Sequence, residues 1–258
     1  MNNHVTRSKI TLERDRMIAL SGLAGVSLLA WVYLFSLSQS MTSMEPAMPH
    51  AQAWEGLDIA SAFVMWAVMM VAMMLPSAIP VVLMFVAIKR GHGEPHSFAP
   101  AAMFLVGYLM VWMGFSALAT LAQWGLHTLA ALSPGIVSVS PRVGGALLAA
   151  AGIFQWTPLK HACLTQCRSP QSFFMTEWRD GARGALLMGL KHGRYCVGCC
   201  WLLMGLLFVA GVMNLAWVAV IAVFILAEKV APAGQWVSRA AGLLLVGWGA
   251  WMAAGALS

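Results

Sequence analysis

Charge is what this chain has least of. Asp, Glu, Lys and Arg together make up 9% of its 258 residues, against 60% hydrophobic residues and a mean hydropathy of +0.78. A soluble globular domain carries about 25% charged residues, so an ordinary water-soluble core is excluded. The sequence also lacks a phosphate-cradling glycine loop, a nucleophile elbow and carboxylates paired for acid–base work. No internal repeat and no low-complexity segment is evident. Cysteine is absent before position 163 and after position 200, yet five cysteines fall between those limits.

What the chain has instead is apolar length. Runs near the ~20 residues needed to cross hydrocarbon recur throughout. Seven are read, at about 17–38, 59–88, 99–122, 143–158, 185–212, 215–231 and 237–256. The fourth and sixth are short, and the second and fifth are long enough to tilt or break. Six spans is the alternative, with the fourth or fifth partly in the interface. The fold class expected is therefore all-α, a polytopic transmembrane helical bundle. The first apolar run exceeds the 7–15 residues of a signal-peptide core and ends without a clear cleavage site, so it reads as a retained anchor.

The net charge of +6 is distributed by loop rather than as a patch. Of 15 basic residues, all but Arg142 fall on one side of the seven-span arrangement. The positive-inside rule assigns that side to the cytoplasm, with the N-terminus inside. The basic balance is thus topology, and nucleic acid is not an expected partner. The organisation expected is a cytoplasmic tail over residues 1–16 and one transmembrane domain over 17–258, multi-pass, in a bacterial inner membrane.

The cysteines come as His161-x-Cys163-x3-Cys167 and His192-x3-Cys196-x2-Cys199-Cys200. Residues at i, i+3 and i+4 share a helix face, which groups Cys196, Cys199 and Cys200, and likewise Cys163 with Cys167. Consecutive antiparallel spans usually pack side by side, so the two groups can meet. Three to five sulfurs with His161 or His192 beside them suit Cu(I), or Zn(II) as the alternative. Basic neighbours Lys160, Arg168, Lys191 and Arg194 would favour the thiolate. Thiol redox chemistry and inert packing remain open as other readings. A structural disulfide fits poorly with a reducing cytoplasm and an odd cysteine count.

Methionine adds to the soft-donor count. Met65, Met69 and Met73 form one stripe, with Met70 and Met74 beside it about 100° round the helix. Pro76 and Pro80 follow, so a helix broken at Pro76 is expected, with its freed carbonyls satisfied by neighbours, water or an ion. The outer loop, from Gln39 to Leu57, holds Met41, Met44, Met48 and His50, a spacing suited to metal capture. Both groups can equally be packing or surface methionines. His127 and the Glu228–Lys229 pair are candidates for function or simply mark helix ends. Trp54, Trp112, Trp124, Trp156, Trp178, Trp201 and Trp236 fit interfacial belts.

Three segments together resemble a bacterial membrane family known as domain of unknown function 2182, described as predicted metal-binding integral membrane proteins. They are Met65-Trp66-x2-Met69-Met70-x-Ala72-Met73-Met74-x-Pro76-Ser77, Thr157-Pro158-Leu159-Lys160-x2-Cys163-Leu164-x2-Cys167-Arg168-x-Pro170, and Gly189-x3-Gly193-x2-Cys196-x-Gly198-Cys199-Cys200-Trp201-x-Leu203-Met204. The resemblance covers roughly residues 55–255 and implies metal binding without an established activity. Three functions follow: handling of Cu(I), by transport or by delivery to a membrane cuproenzyme or copper acceptor protein; a thiol-based membrane oxidoreductase; or a structural subunit of a membrane enzyme complex. The last would pack through small-residue faces such as Gly144-Gly145 and Gly242-x4-Gly247.

Overall fold

The computed structural model describes residues 2–44, 55–91, 98–132, 141–212 and 214–255. Every element among them is a helix: α1 (Asn2–Met44), α2 (Gly56–Gly91), α3 (Phe98–Leu132), α4 (Pro141–Phe154), α5 (Pro158–Arg168), α6 (Pro170–Glu177), α7 (Gly181–Gly205), α8 (Leu207–Ala210), α9 (Leu215–Val230) and α10 (Gly234–Gly255). Within the described residues, five helical segments are long and apolar enough to cross a bilayer: Glu13–Ser40, Gly56–Gly91, Ala99–Thr128, Gly181–Ala210 and Gly234–Gly255. The other two expected spans correspond to α4 and α9, at 14 and 16 residues. Helix α1 extends from Asn2 to Met44, so residues expected in the tail and at the start of the outer loop continue the first helix.

Glycine sets the helix spacing. A methyl at Gly107 would come within 2.2 Å of the Leu186 carbonyl oxygen, and one at Gly189 within 1.9 Å of the Phe104 carbonyl oxygen. Helices α3 and α7 therefore cross backbone to backbone, running parallel, because no side chain intervenes. Helices α4 and α10 do the same in antiparallel sense: Gly145 lies against Gly249, and Gly152 against Gly242. The small-residue faces expected to meet a partner chain are thus used within this one. A methyl at Gly247 would meet nothing within 4 Å, so that glycine takes no part in the crossing.

Helix α2 corrects a second expectation. It passes through Pro76 and Pro80 without a break. Proline at 76 removes the amide that would bond the carbonyl four residues back, at Ala72. The Ser27 hydroxyl of α1 donates to that carbonyl at 3.2 Å, so the freed acceptor is satisfied and the helix continues. At the far end of α2, buried Asp15 of α1 accepts from Arg90 Nε at 2.5 Å.

Two short helices close one end of the bundle. Thr157 caps α5 by accepting from the Lys160 amide, with Pro158 in the first turn. Ser169 ends α5 and caps α6, again followed by proline. Gly181 then adopts φ +76°, a left-handed backbone that a side chain would strain, and α7 begins. Trp112 proves fully buried rather than interfacial, whereas Trp236 is exposed.

Candidate metal centre

All five cysteines are free thiols. Cys196, Cys199 and Cys200 lie buried on one face of α7, as their spacing requires. Helix α5 packs on α7 and brings the buried Cys167 thiol beside Cys196 and Cys199. Cys200 adjoins the same two thiols on its own helix. The four sulfurs belong to one continuous core with Met65, Met69, Met70, Met73, Met74 and Met204. The cysteine groups and the methionine stripe, 100 residues apart in sequence, are parts of one apolar core.

Among the described residues no three His, Cys, Asp or Glu side chains stand in a ready coordination geometry. The reason lies in the rotamers. Cys199 and Cys200 donate to the Cys196 carbonyl at 3.1 and 3.0 Å, bonding back to their own helix instead of turning toward a common centre.

Cys196 is the hub. Its sulfur accepts from the Lys229 ammonium at 2.9 Å and lies 3.1 Å from the Tyr108 hydroxyl. Lys229 also donates to Ser77 Oγ at 3.1 Å, and Tyr108 and Ser77 both donate to the Met74 carbonyl, at 3.1 and 2.8 Å. Helices α3, α7 and α9 thus meet at one sulfur, and α2 holds both of its partners. A buried ammonium needs an opposite charge or good acceptors, and Lys229 meets the Cys196 sulfur and the Ser77 hydroxyl. Sequence reading offered the Glu228–Lys229 pair as a candidate or a helix end, without placing this lysine at the thiols. Its neighbour Glu228 makes the pair resemble a helix end, whereas the two side chains part company inside the bundle.

Glu228 accepts from Lys160 at 2.7 Å and from Ser238 at 2.5 Å, while Gln155 accepts from the same lysine. Lys160 and Glu228 are almost wholly buried. The basic residues expected to activate the thiols are occupied elsewhere: Lys160 with Glu228, Arg168 with the carbonyls of Ala231 and Pro232, and Lys191 with Glu177 at 2.6 Å. Arg194 is exposed. Lys229 takes that place.

His192 lies one turn before Cys196, 2% exposed, among the rings of Phe104, Tyr108 and Phe173. Its Nδ1 is buried without a hydrogen-bond partner. His161 is half-buried on α5 and takes no part in the thiol contacts described. Cys163 is half-exposed over Gly198 of α7, where a methyl would approach its sulfur to 2.8 Å. Burial, and then the neighbouring Cys199, push the Cys163 thiol pKa up. Cys167 is pushed well up, chiefly by the neighbouring thiols of Cys196 and then Cys199, and by burial. Met48 and His50 lie outside the described residues, and Met41 and Met44 form the last turn of α1.

What the arrangement offers chemically is soft and largely dry: thiols and thioethers, one lysine, and a carboxylate already committed to another lysine. Such a donor set favours Cu(I) over hard cations. No curated protein and no solved structure matches the chain. Residues 63–252, well over half of the 258, match the model of a family described as PpoB2, copper chaperone. The match bears out a metal-related family and attaches copper to it, without bearing on domain of unknown function 2182 by that name. The stretch includes every cysteine, Lys229 and the whole methionine stripe. The chain belongs to the PpoB2 copper chaperone family.

Proposed function

We propose that this protein is a multi-pass protein of the bacterial inner membrane that holds Cu(I) among its buried sulfurs and passes it to a membrane cuproenzyme or another copper acceptor. The observation that carries the reading is the contact of Cys167 with Cys196 and Cys199 across two helices, inside the core that also contains the methionine stripe. To ligate an ion, Cys199 and Cys200 turn away from the Cys196 carbonyl. Lys229 stays as an outer partner of the Cys196 sulfur and offsets thiolate charge. Met65, Met69, Met70, Met73 and Met74 serve as weak, neutral donors along α2. His192, with Nδ1 unpartnered, is a further ligand to the same centre.

The basic residues on one side support a cytoplasmic N-terminus, and the alternating loops support seven crossings, with α4 and α9 as short ones. Zinc is the alternative cargo, since thiols would also suit it, but the methionine thioethers in the same core favour Cu(I).

The test is elemental analysis of protein purified from copper-supplemented cells, beside a variant with Cys196, Cys199 and Cys200 changed to serine. Copper in the native protein and its loss from the variant is the expected result. Copper retained by the serine variant would remove the cysteines from the site.

A further inference from the structure

The five thiols are not equivalent. Cys167, Cys196, Cys199 and Cys200 are buried at 6% exposure or less, whereas Cys163 is half-exposed. Helix α5 produces the difference. Lys160, Leu164 and Cys167 face inward, and Leu159, Ala162 and Thr165 face out. Cys163 falls on the border between these faces, one turn before Cys167. It rests in the notch left by Gly198, immediately before Cys199 in sequence. A glycine there is what admits the thiol, since any larger residue would meet its sulfur. The sulfurs therefore form a graded series, from the dry Cys196–Cys200 group through Cys167 to a thiol at the protein surface.

We propose that Cys163 is the exchange ligand through which Cu(I) leaves the buried sulfurs for an acceptor presenting a thiolate or thioether of its own. This step rests on the copper-holding reading above. As Cys163 binds the ion it gives up its thiol proton, and the departing Cys199 thiolate takes one up. The acceptor sulfur then replaces Cys163, and the departing Cys163 thiolate takes up a proton from solvent at the surface. Copper stays univalent throughout, so the transfer needs no oxidant or reductant, and each bond formed to copper matches one broken. Exchange of neutral and anionic sulfur donors around a d10 ion carries no geometric preference that would oppose it.

The experiment uses the full chain in detergent, loaded with Cu(I), and follows release to the chelator bathocuproine disulfonate by absorbance. Cys163→Ser should hold as much copper per chain as the native protein. It should release that copper roughly tenfold more slowly, the scale on which residues around a metal site change affinity or activity. Gly198→Ala keeps the thiol but crowds it, and should slow release in the same direction with copper content unchanged. Release from Cys163→Ser at the native rate would overturn the exchange role. Loss of copper from Cys163→Ser would also overturn it, by making Cys163 a storage ligand. Native protein that never holds copper would defeat the reading of the whole site, a result distinct from either of these.

Discussion

Substituting Gly189 by alanine tests how the fold builds the sulfur site. The added methyl would lie 1.9 Å from the Phe104 carbonyl oxygen, and Cβ contacts below 3.0 Å are essentially never found. The helices must therefore separate by about 1.1 Å (3.0 minus 1.9) at the least, and the opposing atoms are backbone, which cannot swing aside. Tyr108 lies one turn beyond Phe104 on α3, and Cys196 lies two turns beyond Gly189 on α7. A rigid separation of that size would stretch the 3.1 Å Tyr108–Cys196 contact to about 4.2 Å, beyond hydrogen-bond reach. Overpacking of this kind costs ~1–3 kcal/mol, and the lost hydrogen bond about 1 kcal/mol more. Thermal unfolding in detergent should show a net loss of about 2–4 kcal/mol, and maleimide should label Cys196 faster. The control is Gly114→Ala, within the facing helix α3 but with nothing near its Cβ position, which should neither lower stability nor speed the labelling of Cys196. If Gly189→Ala unfolds with the native protein and leaves Cys196 protected, the close crossing does not position the site.

Three further outcomes follow from contacts already described. Glu228→Gln removes the partner of a fully buried lysine and should destabilise the protein by ~3–5 kcal/mol in thermal or denaturant unfolding, while the double change Lys160→Met, Glu228→Leu recovers much of it. Ser27→Ala orphans the Ala72 carbonyl and should cost ~1–3 kcal/mol. In a Pro76→Ala background, where the backbone amide is restored, the same change should be nearly neutral, and additive losses would contradict the compensation inferred for α2. Lys229→Met should weaken copper binding about 10- to 100-fold in chelator competition, as loss of an outer partner of a ligand does. Lys229→Arg should recover part of that loss.

The soft-donor site was legible because cysteine and methionine are distinctive at helical spacing. Positions 196, 199 and 200 must share a face, and so must 65, 69 and 73. That the two sets belong to one core also follows from their both pointing inward in a small bundle. The place of Lys229 at the thiols was not legible, since a lysine beside a glutamate near the end of an apolar run is what most helix ends contain. Only packing sends Glu228 toward Lys160 and Lys229 toward Cys196. The continuity of α2 was hidden for a related reason: Pro76 announces a missing bond locally, whereas Ser27, which replaces it, sits 45 residues before the Ala72 carbonyl it serves. Glycine faces were visible as close-packing surfaces, but sequence spacing carries no information on whether the partner helix is in the same chain. Here Gly145 meets Gly249 and Gly152 meets Gly242.

The most direct measurement is X-ray absorption at the copper edge on the loaded, full-length protein, in native form and with Cys167 and Cys196 changed to serine. The account predicts an edge characteristic of Cu(I) and a first shell dominated by sulfur in the native protein, with that sulfur shell lost from the variant. A nitrogen and oxygen shell in the native protein, or an unchanged sulfur shell in the variant, would contradict it.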